Sequence, residues 1–545
     1  MKQNKIKNLL LTIFALLLGV PAFAQVGIGT DNPQGVLDVK DSLRGIVLPK
    51  VEKVDSVKAP DGGEAVLGTL VYDMSNHCTR VKTNTGWTTC LLDSSGRDSI
   101  TYGYLGLGAN FRVFKAAVSN NWAALIGYGD RAVYFSGTNS NGVSGLGRAS
   151  GAVRSYTMVM SQPMADIDAG TDHVIAADER GRVWTWGSNA NFRTGQTGPN
   201  SSGATVYISG SYTALPDSCD FFGPNGIAFP DGAPQNPKLL AKQVAATSNA
   251  SFVITDNGDL YSIGASPANG RGAASTATSG WGKVTIDKIN INDKDVNGKD
   301  IIVKRISASL NGTVGVVTTN GDAYVWGTGS GNGLGQGTSN LTFPTRLSIN
   351  EPVYQIAMGY QCGAAITKDR KKLYVWGANN TVTSPAAPAP IEISSRIPNF
   401  DASKGDSIIA VGVARGYGGN LVVVTNLNKR VAGVAGVYVF GRNNYGQLGY
   451  GNTTNQYITG NTGGATPPNP GGVNLRPVST MRIDDGAQFT GVASGGYNTI
   501  LITDENKTNQ SLNNVAYGAG RSSTTSNKVL GAITTNTLFF TPLTK

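Results

Sequence analysis

Histidine is scarce: the 545 residues hold only His77 and His173. Imidazole serves most zinc sites and most general-base chemistry, so its scarcity argues against both. Charge is also sparse, at 15% Asp, Glu, Lys and Arg, against about 25% in an average globular chain. The formal net charge of +10 is spread thinly. No run of five or six basic residues occurs, and the densest patch, Lys368 to Lys372, contains Asp369. A nucleic-acid binder concentrates its charge on one face, so a mildly basic solvated surface is the expectation and no nucleic-acid partner is. After residue 24 no stretch approaches the ~20 apolar residues that cross a bilayer as a helix.

Cysteine is limited to Cys78, Cys90, Cys219 and Cys362, with no Cys-x-x-Cys spacing. Zinc knuckles and thioredoxin-type redox sites are therefore unsupported. Cys78 and Cys90 flank a hairpin-like stretch, and a disulfide between them is expected. Cys219 and Cys362 are read as free thiols, Cys362 as a buried one. No Gly-x-Ser-x-Gly elbow is present, and no nucleophile has a His partner. Gly-rich stretches lack the Gly-Lys-Ser/Thr ending of a phosphate loop. Together these features predict a chain that is not an enzyme and needs no cofactor.

What the sequence has is glycine, 72 residues of it, with 20 tyrosines and 40% hydrophobic residues. That mixture suggests short strands joined by tight turns. The first 24 residues read as a secretory signal peptide. Lys2, Lys5 and Lys7 precede an apolar core from Leu9 to Val20, and Ala22-Phe23-Ala24 is a small-x-small cleavage site. The expected address is exported: periplasm, outer cell surface or extracellular medium.

One phrase recurs, an aromatic residue followed two positions later by a second large apolar residue and then Gly. It reads Tyr134-Phe-Ser-Gly137, Trp184-Thr-Trp186-Gly187, Tyr261-Ser-Ile-Gly264, Tyr324-Val-Trp326-Gly327, Tyr374-Val-Trp376-Gly377, Tyr438-Val-Phe-Gly441 and Val515-Ala-Tyr-Gly518. Upstream of each copy lies an alternating apolar run and a turn such as Thr319-Asn-Gly-Asp322. Asn and Gly tolerate positive φ, so these turns read as hairpins. The paired apolar side chains lie on one strand face and are expected to pack between neighbouring units. His173 sits upstream of the second copy, and an inter-strand hydrogen bond within its own sheet is expected of it.

These residues resemble the repeat of the regulator of chromosome condensation, RCC1, most closely over Ile356 to Gly377 and Val437 to Gly451. The resemblance covers residues 103–545 and implies an all-β chain, a seven-bladed β-propeller of RCC1-like repeats with a small N-terminal β-rich module. That module, residues 25–97, begins Gln25-Val-Gly-Ile-Gly-Thr30. It resembles the start of exported proteins of Bacteroidetes-type bacteria, and is read as an attachment or oligomerisation element. Four Asp-Ser-apolar triplets, beginning at Asp41, Asp55, Asp98 and Asp406, resemble an O-glycosylation acceptor pattern of the same bacteria.

Four variable stretches, 197–240, 273–302, 378–407 and 452–488, are read as recognition loops. Tyr207, Tyr212, Phe221, Phe222 and Trp281 are their candidate aromatic anchors. Asp293, Asp295, Asn297 and Asp300 have the oxygen spacing that opens a calcium loop, but Lys304 stands where a bidentate Glu belongs. An Asn297-Gly298 hairpin turn is preferred there, with no metal. The expected function is a secreted or cell-surface adhesin-like protein whose loops bind a protein or glycan. The family resemblance also implies a secreted enzyme inhibitor as an alternative, and the N-terminal module implies a structural cap of a surface fibre.

Overall fold

In a computed structural model the described residues are 26–28, 37–39, 49–59, 62–74, 78–84, 86–87, 112–148, 150–195, 217–218, 240–272, 278–286, 302–378, 381–431, 436–449, 451–455, 458–459, 476–477, 489–503, 515–521, 530 and 537–543. The chain divides into two compact units, 1–100 and 101–545.

In the first unit, Val26–Ile28 pairs in parallel with Leu37–Val39. A four-stranded sheet joins Lys50–Val51, Leu70–Asp73, Cys78–Thr83 and Gly86–Trp87. Its small core holds Val54, Ala65 and Val71, while Val66, Leu67, Leu70 and Met74 are exposed. Asp73 is buried and meets Arg80 Nε at 3.0 Å. Cys90 lies outside the described residues, as do the side chain of Cys78 and all of His77 and Cys219. The signal-peptide segment is also outside them.

The second unit is all-β. Besides a two-stranded parallel pairing of Thr383–Ser384 and Ile458–Thr459, its described residues form seven four-stranded antiparallel sheets, one after another along the chain. We call them blades one to seven. Their first strands are Val113–Val118, Met164–Ala169, Ala241–Ala246, Val303–Ala308, Val353–Gly359, Ile408–Val413 and Phe489–Ser494. Their third strands are Val133–Ser140, Val183–Gly187, Leu260–Gly264, Ala323–Gly327, Leu373–Gly377, Val437–Gly441 and Ala516–Gly520. The recurring aromatic phrase is thus a third strand. Its alternation sends Tyr324 and Trp326 into a cluster with blade three and Val325 into one with blade five.

Each hydrophobic cluster lies between two neighbouring blades. Val118, Leu125 and Tyr134 of blade one meet Ile500, Ala516 and Leu543 of blade seven, which closes the ring into a β-propeller. Each blade is built from consecutive chain. Across the seam, the β-pairing among the described residues is the isolated bridge Arg112↔Val515.

The indoles of Trp186, Trp326 and Trp376 donate to the carbonyls of Val143, Ala268 and Gly333 in the preceding blade, at 2.8–2.9 Å. A buried indole N–H needs such an acceptor. The closing glycine of each third strand lies against the start of the second strand. At Gly327 a Cβ would lie 1.9 Å from the Gly312 carbonyl oxygen, and φ is +105°, so only glycine fits.

Several expectations need correction. In blade seven the glycine at this place is Gly520, paired with Asn498 as Gly327 is with Thr313. The repeat phrase is therefore Tyr517-Gly-Ala-Gly520, two residues later than Val515-Ala-Tyr-Gly518. Gly518 stands in mid-strand, where a side chain would collide with Leu530 and Leu543. The four stretches read as recognition loops carry fourth strands: Asp217–Ser218, Thr278–Lys283, Ala387–Glu392 and Arg476–Pro477. In the stretch 378–407, Val382, Ile393 and Ile397 are core residues.

Trp281 is not a surface anchor. It is buried with Ile175, Val253 and Ile263 between blades two and three. Blade three has Ile263 where blades two, four and five have the repeat Trp. Trp281 supplies the missing indole from the fourth strand, so close to Gly195 that a Cβ there would lie 2.4 Å from its Nε1.

His173 bonds across blades and not within its own. Its Nε2 lies 2.9 Å from Ser251 Oγ in blade three. That hydroxyl donates to the Arg193 carbonyl at 2.6 Å, so the imidazole is the donor to it. Burial, then the nearby Arg193 and Arg415 charges, hold His173 well below the ordinary histidine range and keep it neutral.

Candidate functional site

The first strands of the seven blades line a central channel, with a cavity of about 220 Å³. Each carries a register shift just after its first paired residue, at 113/115, 164/166, 241/243, 303/305, 353/355, 408/410 and 489/491. Such bulges re-aim side chains at a rim. The residues after the shift are Lys115, Asp166, Gln243, Arg305, Gln355, Ala410 and Gly491. Several of them knit neighbouring blades together. Lys115 pairs with Asp166, whose other oxygen accepts from Val244 N at 2.9 Å. Gln243 and Gln355 clasp the backbones of Ile306 and Val411 in the next blade. These clasps satisfy backbone groups that a sheet edge would leave open.

At the far end, Arg415 follows the first strand of blade six. Its Nη1 and Nη2 both donate to Asp168 of blade two, the second at 2.9 Å. Nη2 also donates to the Ala246 carbonyl of blade three at 2.7 Å, and Nε to the Ala308 carbonyl of blade four at 2.7 Å. Its backbone N–H donates to the Ser494 carbonyl of blade seven. One guanidinium thus ties four blades across the channel end, an arrangement suited to its planar fork. Burial pushes the Asp168 carboxyl up; Arg415, the Ala246 N–H and Lys115 pull it back.

The rim at this end carries aromatic and arginine side chains. In an antiparallel blade the ends of the first and third strands share one rim. Tyr360, Tyr417 and Tyr497 sit in turns after the first strands of blades five, six and seven. Arg442 and Tyr445 follow the third strand of blade six, and Arg521 that of blade seven. Tyr360 and Tyr417 pack with ring centroids 4.6 Å apart. Tyr445 meets Tyr497 edge-on at 5.0 Å. Arg521 lies over both of those rings, at 4.9 and 5.3 Å. Arg442 donates to the Tyr417 carbonyl at 3.3 Å. Tyr417 is 54% exposed. Large aromatics beside arginines, ordered by one another yet open to solvent, are the composition of an interaction hot spot.

Sequence reasoning missed this rim, because its residues come from short turns in three blades. The anchors it chose, Tyr207, Tyr212, Phe221 and Phe222, lie outside the described residues, as do Asp293, Asp295, Asn297 and Asp300. Among the described residues no group of three or more His, Cys, Asp and Glu is placed to hold a metal ion. Cys362 is a free buried thiol, pushed up to about 12 by burial. Asp406 of the fourth triplet is buried and paired with Arg430. In the second triplet Ser56 donates to the Lys53 carbonyl.

Residues 435–502 match the family model of the regulator of chromosome condensation (RCC1) repeat, and residues 164–193 match a second model of that repeat. With the propeller, these matches support an RCC1-type repeat protein. An RCC1 repeat-containing protein of Dictyostelium discoideum is 26% identical over 193 residues, 35% of this chain and 34% of that protein. RUG3, a mitochondrial RCC1 domain-containing protein of Arabidopsis thaliana, is 26% identical over 232 residues, 35% of this chain and 49% of that one. The chain thus spans about a third and about half of these curated relatives. Among solved structures, Prp20p of Saccharomyces cerevisiae is similar with a TM-score of 0.54 at 18% identity, covering 80% of this chain and 88% of that one. Human WBSCR16 gives 0.52 at 19%, covering 71% and 85%. At these identities the similarity is one of fold.

Proposed function

We propose that the chain is an exported, non-catalytic binding protein whose propeller engages a protein partner through the rim of Tyr360, Tyr417, Arg442, Tyr445, Tyr497 and Arg521. The observation that carries this reading is Tyr417, half out in solvent and packed against the Tyr360 ring. An RCC1-like propeller suits a protein-interaction domain. Yeast Prp20 has been solved with Kap60 bound, and Prp20p is described with its binding to Gsp1p and histones. The N-terminal lysines, apolar run and Ala22-Phe23-Ala24 support export. A second reading, a cap on a surface fibre, is favoured by the exposed Val66, Leu67, Leu70 and Met74 of the N-terminal unit.

The test uses the full chain immobilised in culture medium, with the captured partner identified and titrated. Hot-spot truncation costs about 2 kcal/mol or more, so Tyr417→Ala and Arg442→Ala should each weaken binding roughly thirtyfold. Thr345→Ala, on the outer strand of blade four, should leave it unchanged. Unaltered affinity in both rim variants removes the proposal, and so does capture of a glycan alone.

A further inference from the structure

The opposite mouth of the channel has a different chemistry. Its rim is built from the residues looped out at the register shifts. In blades one, five, six and seven these are Phe114, Tyr354, Ile409 and Thr490, which line a cavity of about 250 Å³ with Lys115 and Arg305. In blades two, three and four they are Ala165, Lys242 and Lys304, all exposed. The looped-out residues and those that follow them carry four cations, Lys115, Lys242, Lys304 and Arg305. They carry one acid, Asp166, which pairs with Lys115 and accepts from Val244 N, so the ring keeps a net excess of three positive charges.

More positive charge stands just behind. Arg131 lies over the Phe114 ring, 3.4 Å from its centroid. Tyr354 is flanked by Arg305 at 4.4 Å and Arg370 at 4.2 Å. Stacking holds the Arg305 guanidinium in a fixed plane, and its Nε is buried without a hydrogen-bond partner among the described residues. An oriented guanidinium edge without an acceptor matches a bidentate oxyanion. Around this face Asp178 pairs with Arg182, Asp322 with Arg346, Glu351 with Lys372 and Asp406 with Arg430, while Asp130, Asp256 and Asp369 in the neighbouring turns accept from Tyr134, Leu240 N and Thr367.

We propose that this mouth binds a small organic oxyanion, its carboxylate or phosphate head on Arg305 and Lys115 and its apolar body against Phe114, Tyr354 and Ile409. The cavity is smaller than the roughly 300–1,000 Å³ of sites for drug-sized ligands, so a single-ring molecule suits it. Lys115, Ala116, Arg305, Gln355, Val492 and Ala493 line both this mouth and the central cavity, and the Arg415 tie crosses the channel at its far end. The site is independent of the aromatic rim.

Calorimetric titration of the full chain with benzoate, phenyl phosphate and benzyl alcohol tests it. One or both anions should bind with unit stoichiometry, and the neutral alcohol should not. Tighter phenyl phosphate assigns a phosphate head, and tighter benzoate a carboxylate. Arg305→Gln should weaken the anion at least tenfold. So should Thr490→Glu, which sets a like charge at the exposed lip without touching the core. Arg154→Gln, on the outer strand of blade one, should change nothing. Failure of both anions to bind the native chain overturns the proposal. So does equal binding of benzyl alcohol, or undiminished binding in both mouth variants.

Discussion

Arg415 is the most connected side chain in the channel, and its replacement by methionine should be costly out of proportion to its size. The change keeps an unbranched apolar stem and removes every guanidinium donor. The Asp168 carboxylate loses its bidentate partner, and the Ala246 and Ala308 carbonyls lose their donor. Breaking a fully buried ion pair costs about 3–5 kcal/mol. Here the side chains keep 13% and 18% exposure, so channel water recovers part of the solvation, and about 3 kcal/mol is expected. Asp168→Asn in the same chain should return roughly half of that, because the amide oxygen still accepts from Ala246 N and no uncompensated charge remains. Equilibrium urea denaturation of the native chain, both single variants and the double variant closes the cycle. An Arg415→Met loss under about 1 kcal/mol, or strictly additive effects, would refute the idea that this pair holds the channel end together.

Two further expectations follow from packing and charge. Trp281→Ala should cost about 3–5 kcal/mol, as large core truncations do. Adding Ile263→Trp should then restore stability by returning the indole to the third strand; thermal melts showing Ile263→Trp equally harmful in both backgrounds would contradict the substitution of one indole for another. The Arg430 hydrogen bond holds Asp406 below the ordinary carboxylate range. A depressed folded value gives stability that is complete above the unfolded value of about 3.9 and is lost as pH falls through the folded one. Melting temperatures of the native chain and Asp406→Asn should therefore differ at neutral pH and draw together as pH falls below about 4; a constant gap down to about pH 2 would count against it.

The third strands were legible in the sequence because one physical constraint recurs in them. An indole or phenol facing the preceding blade, followed by a glycine against the start of the second strand, leaves the same four-residue trace at Tyr324–Gly327 and Tyr374–Gly377. The fourth strands left none. They lie at the outer edge, where Thr278–Lys283 and Ala387–Glu392 have no common pattern to keep. Blade seven was misaligned because Ala519 takes the Trp position and Val515-Ala-Tyr-Gly518 imitates the phrase by chance. His173 was read as pairing within its sheet, since sequence shows neighbours along a strand and not across blades. The functional rims were hidden for the same reason. Tyr360, Tyr417 and Tyr497 are far apart in the chain and adjacent only because each occupies the same turn in successive blades.

Among the described residues each blade takes its four strands from consecutive chain, and this shapes how the molecule is made. A ribosome delivers blade one first, and it can pair its four strands at once. Its outward flank, with Val113, Leu125 and Tyr134, then waits uncovered until Ile500, Ala516 and Leu543 have been synthesised. Closure is consequently the last event, and a polypeptide truncated before Leu543 presents an open wedge of greasy surface to whatever chaperone or neighbour meets it first.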